Sequence, residues 1–326
     1  MWFESLTGFK EESPEQVRAN LSVNGTTMTS NVNGAQFTFG HLETPALKEL
    51  RLAVDQIPES GAQTVSELVA DVQDLHKSPD SAGATFQVAS QFNLLEMVSP
   101  GATPEDGVAI YEFDPTQGPA CAIAAGAGTI YRNYFAKVNG RIGQSADQQI
   151  DCLAGLGELL GNQDDRLWSM QNGYALPAEA GLSQVDDLLE RMSEAELDEL
   201  RSALRIGIQW NTEVTISQDH HLVTQAYCSA MPVAYAGLKL NRWERFATLV
   251  LEAAYEATVC TAILNSSRSG NRQLYLTLLG GGAFGNRFEW ILGALQKALL
   301  KYAAYPLDVQ IVSYRQEDPR LAALLD

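Results

Sequence analysis

Two hydrophobic periods run through this chain, alternation at every second residue and recurrence every three to four, and the switches between them mark strands and helices. In the last third, the apolar run Leu274-Tyr275-Leu276-Thr277-Leu278-Leu279 predicts a strand, Arg287 to Tyr302 an amphipathic helix, and Leu307 to Tyr314 a second strand. This is a βαβ unit, whose right-handed crossover puts the turn after the first strand at the carboxyl edge of a parallel sheet. Upstream, Ala84 to Ser90 is apolar and β-capable, Ile206 to Ile216 alternates like a strand, Leu222 to Tyr235 is apolar and mixed, and Phe246 to Leu264 carries the longest helical pattern.

Turn and cap residues punctuate the rest. Ser13-Pro14 opens a short helix, and Val23-Asn24-Gly25 with Val32-Asn33-Gly34 supply hairpin turns around a strand from Gln36 to Phe39. Thr44-Pro45 predicts a helix running to about Gln56, and Thr64-Val65-Ser66-Glu67 another that ends near His76. A helix start is expected near Gly118, with a glycine-broken turn at Gly126 to Gly128. Gln149 to Leu160 predicts a helix and Leu167 to Tyr174 can form a strand. The acidic segment from Ser183 to Leu204 holds helices, with Ser193 and Glu196 spaced as a capping box. No internal repeat or long linker interrupts the pattern, so a single elaborated domain over residues 1–326 is expected, with a core of about 84–315 and an N-terminal extension of 1–83.

Composition narrows the chemistry. With 326 residues and 45% hydrophobic content the chain can bury a sizeable core. Its 40 acidic against 22 basic residues give a formal charge of −18, which opposes a nucleic-acid polymer, since such affinity comes from counterion release onto Lys and Arg. A small anion needs only local amides and an arginine or two. No stretch is expected to reach the roughly 20 apolar residues of a membrane helix, and the start Met1-Trp2-Phe3-Glu4-Ser5 lacks a basic region followed by an apolar one, so the cytoplasm is the expected location. Cys121, Cys152, Cys228 and Cys260 stand in no metal-ligand spacing and are expected to be buried free thiols. Neither a metal nor a cofactor is expected.

The predicted strand at Leu274 to Leu279 empties into Gly280-Gly281-Gly282-Ala283-Phe284-Gly285-Asn286. Glycines there remove the Cβ atoms that would hold an anion away, and free N–H groups at the following helix start can bond a phosphate. Gly280, Gly282 and Gly285 satisfy G-x-G-x-x-G, so a dinucleotide-binding oxidoreductase is an alternative. Against it, the next strand carries its acid, Asp308, at the wrong end. No Gly-Lys-Ser/Thr is present, which argues against an ATP-hydrolysing P-loop. A packing turn without ligand remains the plain alternative.

The segment from Leu279 to Asn286 resembles the second phosphate loop of the macrodomain family. That resemblance implies a three-layer α/β/α fold with a mixed sheet, here with an N-terminal hairpin and a helical insertion, and ADP-ribose or a related nucleotide as partner. Gly280, Gly281, Gly282 and Gly285 would then cradle the diphosphate with Ala283 and Asn286 in the same loop, and Phe284 would lie against a ribose. Ala84 to Asn93 is similar to the family strand ending in an asparagine that touches the distal ribose, which points to Asn93. Gln117-Gly118-Pro119 sits where the family carries its first glycine-rich loop. The chain departs from the pattern in having Ser90-Gln91-Phe92-Asn93 in place of an Ala-Asn pair and Gln117-Gly118-Pro119 in place of consecutive glycines.

Cleaving an ADP-ribosyl bond passes through an oxocarbenium-like state, so the site must position a water, align it with a carboxylate or a phosphate oxygen, and hold the ribose hydroxyls. Glu96, three residues after Asn93, and Asp114, three before Gln117, qualify by position; the competing roles are a helix-start carboxylate and a turn-forming Asp before Pro115. Arg132 can meet a phosphate or pair with an acid. Tyr131 and Tyr134 are expected in the core. His220 and His221 point to opposite faces of a strand and cannot chelate as a pair, and Cys228 has no evident base. An ADP-ribosyl hydrolase acting on an ADP-ribosylated macromolecule, a non-catalytic reader of ADP-ribose, and an interaction module whose glycine loop merely packs are the functions in contention.

Overall fold

The computed structural model describes residues 1–325. Seven strands form the main sheet: β1 (His41–Glu43), β2 (Thr64–Val69), β3 (Thr85–Ala89), β4 (Gly207–Glu213), β5 (Leu222–Cys228), β6 (Gln273–Leu276) and β7 (Asp308–Ser313), in the order β1-β4-β5-β3-β6-β7-β2. From β5 to β2 all neighbours pair in parallel, while β4 runs antiparallel to both β1 and β5. The sheet is mixed, and five parallel strands deliver their carboxyl ends to one edge.

Side-chain alternation along the central strands shows the layers. On β3, Gln87 reaches Thr258 of the long helix while Phe86, next to it, stacks on His76 with ring centroids 3.8 Å apart. On β5, Thr224 and Cys228 face Asn265 and Thr258 of that helix, and Gln225 turns the other way to His76 and the Cys121 carbonyl. One face is therefore covered by α1 (Leu47–Val54), α7 (Glu244–Ser269) and α8 (Phe288–Lys301), and the other by α2 (Val72–Lys77), α3 (Gln117–Ala124) and α4 (Gly126–Tyr134). Helices α5 (Glu179–Arg191) and α6 (Glu194–Ala203) belong to the insertion and pack on α7; the Ser193–Glu196 capping box forms as expected.

Several expectations need correction. Thr64 to Glu67 does not cap a helix; it starts the edge strand β2, where alternation and pairing with β7 outweigh the cap-like spacing, and a helix begins only at Val72. The helix expected after Thr44-Pro45 begins at Leu47, with Ala46 as its N-cap residue. Gly126 to Gly128 is not a broken turn but the first turn of α4; a Cβ on Gly128 would lie 2.8 Å from Thr212 Oγ1, so the missing side chain lets the helix lie against β4. The helix foreseen from Gln149 is confined to Ala154–Leu160, and Leu167 to Tyr174 is a hairpin of Ser169–Gln171 and Tyr174–Leu176. The hairpin Leu21–Asn24 and Thr27–Ser30 does form and is joined by Gln36–Thr38. Residues 41–69, ahead of the expected core, supply both edges of the sheet.

Helix α7 is long and apolar enough by composition to cross a membrane, contrary to the sequence expectation, yet 89% of that stretch is buried inside the protein, as in a core helix. All four cysteines are free and buried. On its outer side α7 is clipped by ions: Arg51 of α1 makes paired hydrogen bonds to Glu256 and to Asp198 of α6, at 2.6 to 2.8 Å, and Lys301 of α8 adds a bond to Glu256. Burial pushes the Glu256 carboxyl up, but the bonds from Arg51 and Lys301 more than offset it and leave it below its usual 4.5. Its stabilising contribution is therefore present above that value and is lost as the pH falls through the folded titration point. Arg51→Met is expected to lower stability by about 1–2 kcal/mol in urea unfolding at neutral pH, with the difference from the parent shrinking as the pH falls through the lowered Glu256 titration.

Candidate active site

A cleft opens at the carboxyl ends of β3, β5 and β6, where ligands gather in open α/β sheets. Its walls are the segment after β3 (Ala89 to Gln91 and Glu96 to Val98), the entry to α3 (Asp114 to Pro119), the glycine loop after β6 (Thr277 to Gly280 and Gly282 to Phe284), Ala230 and Tyr235 after β5, and Tyr174 from the insertion. It encloses about 780 Å³ counting its open mouth.

The glycine loop is exposed at Gly281, Gly282 and Ala283. Gly280, with φ 76°, and Gly285, with φ 71°, take left-handed conformations, and a Cβ on Gly280 would meet Ala230 Cβ at 2.5 Å. Some amides turn inward: Gly281 N donates to Leu278 O, Gly285 N to Gly282 O, and Asn286 N to Gly280 O. Among the described residues, the N–H groups of Gly282, Ala283 and Phe284 make no hydrogen bond within the chain. Gly280 N makes none either, and all four lie in the loop ahead of α8, which begins at Phe288. Asn286 Nδ2 donates to Met231 O and Gly280 O and so shapes the loop, while its Oδ1 is buried without a partner among the described residues. Gly281 lines a second cleft with Phe288, Ser313, Tyr314 and Arg320, and Thr277, Leu278 and Gly282 border both.

Phe284 meets Tyr174 and Tyr235 at centroid distances of 5.4 and 5.6 Å, and those two tyrosines lie 5.0 Å apart. Tyr174 is anchored through its hydroxyl to Met97 O at 2.7 Å, and Ala234 N donates to Phe284 O, tying the loops after β5 and β6 together. The sequence singled out neither Tyr174 nor Tyr235 as a site residue. Tyr235 follows a strand's carboxyl end and was findable by that rule; Tyr174 arrives from an insertion with no local mark.

Glu96 is the carboxyl group of this cleft. It is 3% exposed, its backbone N–H donates to the Tyr111 hydroxyl, and Oε1 has no hydrogen-bond partner among the described residues. Burial drives its pKa well above the usual 4.5, with the Arg132 charge opposing and Asp114 reinforcing that shift. Gly118 lets α3 approach this close, since a Cβ there would collide with Glu96 Oε2 and Ala89 O. Asp114 lines the mouth, and its Oδ1 accepts from Thr116 N at 2.9 Å, so the turn-forming role is real and coexists with a place in the cleft.

Three other candidates are placed differently. Asn93 is fully buried; Oδ1 accepts from Leu95 N, Nδ2 donates to Gln149, and the side chain reaches no cleft. Gln117 borders the cleft, but its amide accepts from Ala89 N and donates to Gln87 O, continuing the β3 ladder into α3. Arg132 is fully buried and lies over the Tyr227 ring, its guanidinium carbon 3.6 Å from the centroid, so it meets no phosphate. In each case a buried backbone group claimed the polar side chain, because such groups are costly to leave unpaired. His220 bonds Glu213 near the surface and Cys228 bonds Thr258 in the core, far from forming a dyad. Among the described residues no cluster of His, Cys, Asp or Glu is placed to hold a metal ion.

No protein-family model matches this chain, and no curated protein matches its sequence. Among solved structures, it is similar to a mutant poly(ADP-ribose) glycohydrolase from Deinococcus radiodurans in complex with ADP-ribose, with a TM-score of 0.48 and 10% identity over 87% of this chain and 95% of that one. It is also similar to the poly(ADP-ribose) glycohydrolase from Thermomonospora curvata, with a TM-score of 0.46 and 11% identity over 91% of this chain and 89% of that one. The likeness is one of fold. The architecture expected from the sequence, a mixed sheet between two helical layers, is the one this chain adopts.

Gly118→Ala should force α3 and the Glu96 carboxyl apart. A loss of about 1–3 kcal/mol in thermal unfolding, with a fall in the affinity of any ligand bound in the cleft, is the expected outcome.

Proposed function

We propose that this protein binds an ADP-ribosyl group and hydrolyses the bond that links it to another molecule. The observation that carries the proposal is the meeting, in one cleft, of three unengaged loop amides at Gly282 to Phe284 with a buried carboxyl, Glu96. Amides so placed suit a diphosphate, and the glycine loop resembles one that wraps the diphosphate of ADP-ribose. The second cleft shares Thr277, Leu278 and Gly282 with the first, so a ligand with two ends joined by a diphosphate can lie across the loop with one end in each.

The chemistry follows from the environment of Glu96. Burial favours its protonated form, which suits a general acid. As the bond from the anomeric carbon to the leaving atom breaks, Glu96 gives that atom its proton. Water then forms the new bond to the anomeric carbon and returns a proton to the Glu96 carboxylate, which restores the starting state. Asp114 at the mouth is the second carboxyl within the cleft, and Phe284 with Tyr174 and Tyr235 supplies an aromatic wall for the ribose. The substrate class is an ADP-ribosylated macromolecule or a smaller ADP-ribosyl conjugate; the net charge of −18 disfavours a nucleic-acid polymer.

Calorimetry with ADP-ribose and turnover of ADP-ribosylated substrate test this together. Glu96→Gln should leave the affinity for ADP-ribose within a few-fold while cutting turnover by about 10²–10⁴, and Asp114→Asn should cost less. If ADP-ribose gives no binding heat the proposal fails; if it binds and nothing turns over, only the binding function stands.

A further inference from the structure

The turn that presents Glu96 is strained. Leu94, two residues before it, has φ 65°, a left-handed conformation that costs a branched side chain about 1 kcal/mol or more. Such a conformation persists only when its surroundings over-determine it, and here they do. The Gln91 amide spans both Met97 N and Met97 O, the Asn93 side chain takes Leu95 N, and Gln144 Nε2 donates to Asn93 O and Arg132 O. From behind, Arg132 Nε donates to the carbonyl of Leu94 itself at 3.1 Å, while Nη2 is fixed on Thr129 Oγ1 at 3.0 Å. The remaining nitrogen, Nη1, is buried without a partner among the described residues, as is Glu96 Oε1.

We infer that Arg132 is a positioning residue for Glu96: it holds the strained Leu94 turn through the carbonyl and places a buried guanidinium charge behind the carboxyl. The inference rests on the proposed hydrolytic role of Glu96 for its functional meaning, though its physical content does not. A fully buried arginine is an expensive group, and no carboxylate forms a salt bridge with it among the described residues. Its stacking on Tyr227 and its two hydrogen bonds keep it in place, so its charge acts across the interior.

The groups around Glu96 come from every neighbouring element: Tyr111 from the turn before Asp114, Asp114 itself, Cys121 on α3, Arg132 on α4, Tyr174 from the insertion and Tyr227 on β5. Burial and Asp114 raise the carboxyl, and Arg132 alone of the residues acting on it lowers it. Removing that charge must move Glu96 toward protonation at higher pH.

Carboxyl-carbon NMR on the full-length protein, with glutamate labelled and the Glu96 resonance assigned by Glu96→Gln, reads the titration without any substrate. Arg132→Gln should raise the Glu96 midpoint by about one unit or more, while Arg132→Lys, which keeps the charge, should leave it near the parent value. The pH limb of turnover governed by Glu96 should shift in the same direction. An unchanged midpoint in folded Arg132→Gln protein overturns the inference. If that variant does not fold, Arg132→Lys decides: a lower kcat at unchanged KM supports the positioning role, because one ammonium cannot serve both Leu94 and Thr129, and an unchanged kcat overturns it. Failure of ADP-ribosyl turnover in the parent protein would remove the functional reading and leave the NMR outcome to decide this one.

Discussion

A carboxyl group held out of water without a full set of partners is costly to keep, and in this molecule Glu96 imposes that constraint on everything around it. The cost is tolerable because burial shifts the group toward its neutral form, and because the turn carrying it is tied down on all sides. Gln91, Asn93, Gln117, Gln144 and Tyr111 each commit a polar atom to a backbone group of this region. What would be a ligand-contacting set in an open loop is instead a scaffold. Glu96 lines the cleft, and the groups that support its turn lie in the interior.

The layered sheet explains why the site sits where it does. Parallel strands bring β3, β5 and β6 to one edge, so the loops after them converge without any long excursion. The insertion then adds Tyr174 from outside the sheet, and the N-terminal segment braces the far side: Glu11 accepts from Tyr134 and from the amides of Val108 and Ala109. Phe39 stacks on Tyr131 with centroids 4.1 Å apart. Helix α4 is thus pinned by the N-terminal segment at two points, and α4 is the helix that carries Arg132.

Much of this was legible in the chain. The glycine loop, Glu96, Asp114 and Gly118 were singled out because each follows or precedes an element whose period was plain, and all of them border the cleft at the strands' carboxyl ends. The roles of Asn93, Gln117 and Arg132 were not legible. An amide or guanidinium in a loop can serve a ligand or a buried carbonyl equally well, and only the finished fold shows which carbonyl is short of a partner. Thr64 to Val69 was misread because its cap-like ends obscured a period-two pattern. Tyr174 could not be found at all, since its place depends on an insertion folding back over residues nearly eighty positions earlier, where it meets Met97.

Both rims of the sheet come from residues 41–69, and one of them, β2, pairs along its length with the strand β7, with Thr64 and Asp308 separated by 244 positions. Contacts this distant close late, since the loop entropy must be met before pairing returns any gain. During synthesis β2 therefore waits as an unpaired edge until the final strand emerges. The second cleft, walled by Ser313 at the end of that strand and Tyr314 just after it, is then completed only after the loops of the first cleft have been made.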